Sequence, residues 1–169
     1  MHETDTPHGF LISTQEFVPA TADEFERVLR APGSIAAWNE LELSGPAGSG
    51  VPLDVGDAME FTVNVGPLSF DYVMIVAART SGVSFIQRTT KGFVDVTIEY
   101  SWKTQGVGTL VTVDAMYRLT GPLWWKKPAT RAVARKFVRT ASRNMRDMFS
   151  PRRSGGRGNS TFPDTHGCR

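Results

Sequence analysis

Between Met59 and Leu119 apolar side chains recur at every second position, and beyond Pro128 the interval lengthens to three or four. The first period is that of strands covered on one side, and the second is that of an amphipathic helix. The clearest strand runs from Phe93 to Lys103, where Val94, Val96, Ile98, Tyr100 and Trp102 share one face. Asp95, Thr97, Glu99, Ser101 and Lys103 share the other. Met59–Val65 and Leu110–Leu119 alternate in the same way. Turn signals at Gly66-Pro67, Ser81-Gly82, Lys91-Gly92 and Gly106-Val107-Gly108 separate the runs, which predicts an antiparallel meander. Two segments break the rule. In Leu68–Ala78, Asp71 shares its parity with Val73 and Ile75. In Val83–Thr90 either Phe85 and Gln87 or Ile86 and Arg88 face inward.

The helical period covers Pro128–Phe149. Ala129, Val133, Phe137, Ala141, Met145, Met148 and Phe149 form an apolar stripe, which predicts the face that covers the sheet. Arg131, Arg135, Arg139, Arg143 and Arg146 form a second stripe two positions out of step, roughly 200° around the helix. Ahead of the meander, Phe10–Val18 reads as a strand ended by Pro19. Thr21 and Glu24 have the spacing of a capping box for a short helix carrying Phe25, Val28 and Leu29. Ala31-Pro32-Gly33 is expected to stop that helix, and Ser34 to cap a second one with Ile35 and Trp38. Gly45–Gly56 reads as a flexible connection. The expected organisation is a loose leader over 1–9, one α+β domain over 10–150 and a disordered basic tail over 151–169.

Composition narrows the function classes. The longest uninterrupted apolar run, Tyr72–Ala78, is too short to cross a bilayer. The start of the chain has neither a basic n-region nor an apolar h-region, and Cys168 has no internal disulfide partner. A cytoplasmic protein is the expectation. His2, His8 and His166 all fall in the predicted loose ends, which argues against an imidazole base, a His-containing triad or a His-rich metal site. No Gly-rich phosphate loop stands between a strand and a helix, so neither metal nor nucleotide cofactor is expected. The net charge of +2 is unevenly spread: residues 1–125 hold 7 Lys/Arg against 15 Asp/Glu, and 126–169 hold 12 against 2. Lys126, Lys127 and Arg131 crowd a helix N-terminus, where the helix dipole disfavours cations. Arg131, Arg135, Arg139 and Arg143, with Trp124-Trp125 nearby, therefore form a candidate contact for an anionic surface.

The order of elements, a strand, two short helices, a meander and a long last helix, is that of the helix-grip fold. The local text resembles the SRPBCC superfamily, which includes START-like, polyketide cyclase/dehydrase and lipid-transport proteins. The matching stretches are Phe17-Val18-Pro19-Ala20 with Phe25, Trp38 after Pro32-Gly33, Val55-Gly56-Asp57, Tyr100-Ser101-Trp102 and Gly108-Thr109-Leu110-Val111. The resemblance covers residues 10–149 and consists of structural positions, so it speaks to fold more than to function. It implies a curved sheet wrapped around the last helix and a cavity between them. The lining it implies is Trp38, Phe61, Val63, Tyr72, Met74, Tyr100, Trp102, Tyr117, Phe137, Ala141 and Met145.

On the regular strands Glu60, Asp95, Glu99 and Asp114 fall on the polar face, so none is a candidate for acid–base work inside. Asp71 and Arg88 are the charges whose side is open, and Tyr72, Tyr100 and Tyr117 could present hydroxyls to a cavity. The expected function is binding of a hydrophobic small molecule, a lipid or polyketide, by a carrier or sensor. A polyketide cyclase or dehydratase using these groups is one alternative. An interaction or toxin-like protein acting through the basic helix is another.

Overall fold

The computed structural model describes residues 1–43, 51–65, 68–92, 94–119 and 126–150. The alternating segments form five strands: β4 (Ala58–Val65), β5 (Leu68–Thr80), β6 (Ser84–Lys91), β7 (Asp95–Gln105) and β8 (Gly108–Arg118). Each pairs antiparallel with the next, joined by short turns, two of which have a glycine at positive φ, Gly82 and Gly106. β2 (Gly9–Val18) then pairs with β8. The chain crosses from there to the opposite edge through α1 (Ala22–Leu29) and α2 (Pro32–Asn39), where β3 (Glu42–Leu43) joins β4. With β1 (His2–Thr6) on β2, the sheet runs β1-β2-β8-β7-β6-β5-β4-β3, and α3 (Lys127–Phe149) lies across its concave face. This is the expected α+β helix-grip fold, with three helices and eight strands among the described residues.

The irregular alternation has a local cause. β5 carries two register shifts against β6, between Val73 and Met74 and between Val76 and Ala78. Such bulges bend a strand and increase its twist, and here they curl the sheet around α3. Phe85, Gln87 and Thr89 are buried on the concave side, and Arg88 is exposed. Asp71 is exposed too, accepting a hydrogen bond from the Thr62 hydroxyl across the strand pair (3.2 Å). The two charges whose side was open therefore both lie outside.

Three expectations need correction. The segment over 1–9 is not a loose leader: His2–Thr6 pairs with β2 in register from His2–Ser13 to Thr6–Gly9. It is fastened by charge, because Glu3 accepts from Arg135, and Asp5 meets Arg131 and Lys127 (2.6 Å from the Lys127 Nζ). The acid missing from the start of α3 is thus supplied by β1. Second, α2 starts at Pro32 rather than after Ser34, with Ala31 as N-cap, consistent with proline's preference for a first helical turn. Third, the buried line of α3 is Ala134, Val138, Ser142 and Met145, while Ala129, Val133 and Met148 are exposed. The predicted stripe is rotated by about one residue from the face that packs on the sheet. Of the connection Gly45–Gly56, the described end is ordered: Leu53 is buried and its N–H donates to Arg30 O (2.8 Å). The tail beyond Ser150 lies outside the described residues.

The capping box of α1 forms as expected, the Glu24 N–H donating to Thr21 Oγ1 and the Thr21 N–H to Glu24 Oε2. The helix is pinned to the sheet by Glu26, which is buried and accepts from Arg79 Nε (3.0 Å), Arg79 Nη2 (2.8 Å) and the Gly82 N–H (2.7 Å). Below α1 and α2, the rings of Phe25, Trp38, Tyr100 and Trp102 fill the core together with Met145.

Candidate functional site

Because α1 and α2 plug one end of the curl, the apolar face of the other end is left partly unfilled. A cavity of about 430 Å³ lies between the sheet and the N-terminal half of α3. β4 and β5 contribute Phe61, Val63, Phe70, Tyr72 and Met74 to its wall. Thr89, Val96, Ile98 and Tyr117 come from β6 to β8, Val94 from just before β7, and Leu41 from beyond α2. The N-terminal half of α3 contributes Ala129, Thr130, Val133, Ala134 and Phe137, with Lys126 just before it. Val133 is 43% exposed because it borders a void rather than packed protein. The volume is within the usual range of small-molecule sites (~300–1,000 Å³), and so is a mainly apolar lining with a few polar groups.

The expected lining residues divide by position. Phe61, Val63, Tyr72, Met74, Tyr117 and Phe137 border the cavity. Trp38, Tyr100, Ala141 and Met145 instead border a separate void of about 20 Å³, deeper under α3, which Tyr117, Phe137 and Ile98 share. Trp102 borders neither, and meets Phe25 edge to face at 5.4 Å. The lining that the sequence reading missed includes Phe70, Val94, Val96 and Val133, all apolar and at the correct parity or helical spacing.

The three tyrosines do converge. Tyr100 is buried, and the side chains of Trp38 and Asn39 donate toward its hydroxyl. Burial nevertheless outweighs these donors and pushes its pKa up to about 12. Tyr117 is raised further by burial and by the neighbouring Tyr100 and Tyr72 hydroxyls. Both phenols stay neutral at physiological pH, as hydrogen-bonding groups rather than bases. Tyr117 stacks on Phe10 at 5.0 Å, and the Arg131 guanidinium caps that ring, also at 5.0 Å. A cation–π contact thus joins the β1 ion pairs to the cavity wall.

The basic stripe is not uniform. Arg131 and Arg135 are tied to Asp5 and Glu3. Lys136, Arg139 and Arg143 are exposed along a groove on the outer side of α3, with no ion pair among the described residues. Arg146 approaches Glu16 at 3.8 Å. Among the described residues no cluster of three or more His, Cys, Asp or Glu could hold a metal ion, and no helix is long and apolar enough to cross a membrane.

No protein-family model matches the chain, and no curated protein does. Solved structures match its fold closely. A START superfamily protein from Mycobacterium smegmatis superposes with a TM-score of 0.63 at 14% identity, over 82% of this chain and 96% of that one. The ginseng (Panax ginseng) major latex-like protein 151 gives 0.58 at 14%, over 83% and 97%. A protein from the dynemicin biosynthetic locus gives 0.51 at 18%, over 79% of this chain and 46% of the other. The fold is therefore of the SRPBCC type, reached at identities that carry fold alone.

Proposed function

We propose that the protein binds a hydrophobic small molecule, of lipid or polyketide type, as a carrier or sensor. The observation that carries this reading is the open cavity of about 430 Å³ lined by phenylalanine, valine, methionine and tyrosine side chains under α3. An occupant that buries about 300 Å² of apolar surface gains roughly 7 kcal/mol at ~25 cal/mol per Å². That is below the roughly 8 kcal/mol of a micromolar complex even before the cost of immobilisation, so an affinity weaker than micromolar is the expectation. Binding is favoured over acid–base catalysis because Asp71 and Arg88 point away from the cavity and the buried phenols resist ionisation. Native mass spectrometry of the purified protein, followed by extraction and identification of any bound molecule, tests the reading. A stoichiometric apolar ligand supports it. An apo mass together with no uptake of the neutral fluorophore N-phenyl-1-naphthylamine refutes it.

A second reading rests on Lys136, Arg139 and Arg143, exposed and free of described ion pairs on one helix face. Three cations on one exposed helix face suit peripheral contact with an anionic surface, each worth about 1 kcal/mol beside acidic lipid. Co-sedimentation with phosphatidylserine vesicles, lost in the Arg139→Glu, Arg143→Glu variant and at high salt, supports this contact. Equal pelleting with phosphatidylcholine vesicles counts against it.

A further inference from the structure

Most polar groups of the interior have partners within the protein. Thr89 Oγ1 donates to Val96 O (3.1 Å) and accepts from the Val96 N–H (3.2 Å), and Thr109 donates to Ala20 O (2.8 Å). The Tyr100 hydroxyl is served by the side chains of Trp38 and Asn39. Tyr117 does not fit this pattern. It is only 8% exposed, yet its hydroxyl has no hydrogen bond among the described residues. A buried hydroxyl left unpaired carries the desolvation cost of the group, so such a residue calls for an explanation. Gln87 Nε2, Trp102 Nε1 and Arg131 Nε are unpaired as well, but these atoms are sealed inside the protein and none of the three residues lines the cavity.

Tyr117 is placed differently from those three. With Ile98 and Phe137 it lines both the cavity of about 430 Å³ and the deeper void of about 20 Å³, so it stands where the two meet. Stacking on Phe10 at 5.0 Å holds its ring. The direction of the phenol follows from its neighbours. β8 and β5 are three strands apart in the sheet, about 14 Å at the usual strand spacing, yet Tyr117 senses the Tyr72 hydroxyl carried by β5. Phenols on strands so far apart feel each other by leaning together over the concave face. Tyr72 lines the same cavity, so the space between the two rings is the space an occupant fills.

Resting on the binding reading above, we infer that Tyr117 is the specificity-determining residue of the cavity, its hydroxyl donating to a carbonyl oxygen of an otherwise apolar occupant. The neutral phenol has a proton to donate, and a carbonyl accepts it without carrying a charge into an apolar site. A bare hydrocarbon of the same shape fills the same volume but shuts the hydroxyl off from water without giving it a partner. The site therefore selects oxygenated hydrophobes over plain ones.

The test is equilibrium dialysis of the full chain and its Tyr117→Phe variant against 2-acetylnaphthalene and 2-ethylnaphthalene, which match in shape and differ in the carbonyl oxygen. The ratio of ketone affinity to hydrocarbon affinity is expected to fall about fivefold to tenfold in the variant. The hydrocarbon should bind the variant at least as well as the unaltered chain. Removing a hydroxyl that has no internal partner should leave the urea midpoint of the ligand-free protein unchanged or raised. The carbonyl stretch of bound carbonyl-¹³C-labelled 2-acetylnaphthalene gives a readout that needs no variant: it should lie at lower wavenumber than in cyclohexane. An unchanged affinity ratio, a carbonyl band at its cyclohexane position, or a variant of lowered stability, whose lost hydroxyl was then engaged within the protein, overturns the inference while the binding reading stands. Uptake of neither naphthalene nor N-phenyl-1-naphthylamine by the unaltered chain overturns both.

Discussion

Removing the Glu26 carboxylate should unpin α1 from the sheet and cost far more than an ordinary helix substitution. The side chain is 10% exposed and accepts three hydrogen bonds, two from Arg79 and one from the Gly82 N–H. Breaking a buried ion pair by deleting one partner costs about 3–5 kcal/mol, because the other charge stays behind unpaired. Arg79 keeps 21% exposure and a second carboxylate, Asp54, at 3.6 Å, so part of that loss is recovered. The expectation for Glu26→Ala is about 2–4 kcal/mol. Alanine keeps the helix propensity, so the loss cannot be assigned to α1 as an isolated helix. For a chain of this size, each kcal/mol moves Tm by about 2–4 °C, which predicts a fall of roughly 5–15 °C. Urea unfolding followed by circular dichroism at pH 7 measures the change, and Arg79→Ala with the double variant closes a thermodynamic cycle. The double variant should cost clearly less than the sum of the singles. A loss below about 1 kcal/mol, or strict additivity, would refute the argument that this pair anchors the helix.

Three further outcomes follow from the geometry. Glu3 is lowered by its hydrogen bond to Arg135, and Asp5 by those to Lys127 and Arg131, so both fold with depressed pKa values. Their contribution is fully present above the ordinary values of 4.5 and 3.8 and disappears as pH falls through the lower folded values. Protection factors of the β1 amides, corrected for the intrinsic exchange rate, should therefore fall on acidification, and a Glu3→Gln, Asp5→Asn variant should show low protection already at neutral pH. Gly92→Ala would place a Cβ 2.4 Å from the Tyr72 ring, displacing a cavity wall, and fluorophore titration should show weaker uptake. Gly9→Ala would bring a Cβ within 1.8 Å of the Tyr117 carbonyl oxygen, where only backbone can give way. That variant should lose about 3 kcal/mol or more by urea unfolding, and a near-neutral result would disprove the close β2–β8 approach.

The fold was legible because β7 and β8 alternate cleanly and the period changes at α3. The inner face of β6 was not: Gln87 and Arg88 are both polar, and only the paired strands decide that Gln87 lies inside. β1 was illegible for a different reason. It is a polar edge strand whose attachment to α3 comes from Glu3 and Asp5 pairing with bases more than 120 residues away. The location of the cavity was half legible. Trp38, Tyr100 and Met145 have the same chemistry as Phe61, Met74 and Phe137, and apolar pattern cannot distinguish a filled space from an empty one. That difference arises where α1 and α2 fill one end of the curl and leave the other to α3 alone. The arginine stripe reads correctly as a face, but its division between internal pairing and solvent depends on where β1 lies.

An apolar molecule lodged under the N-terminal half of α3 would sit in a place on which the methionines report directly. Of the six in the chain, Met74 lines the cavity, Met145 borders the deeper void, and Met148 is 42% exposed at the far end of α3. In methyl-¹³C-methionine protein titrated with N-phenyl-1-naphthylamine, the Met74 methyl resonance should move furthest and saturate at one equivalent. Met145 should respond weakly and Met148 not at all. Saturating shifts at Met148 with Met74 unmoved would place the ligand outside the curl and contradict the account.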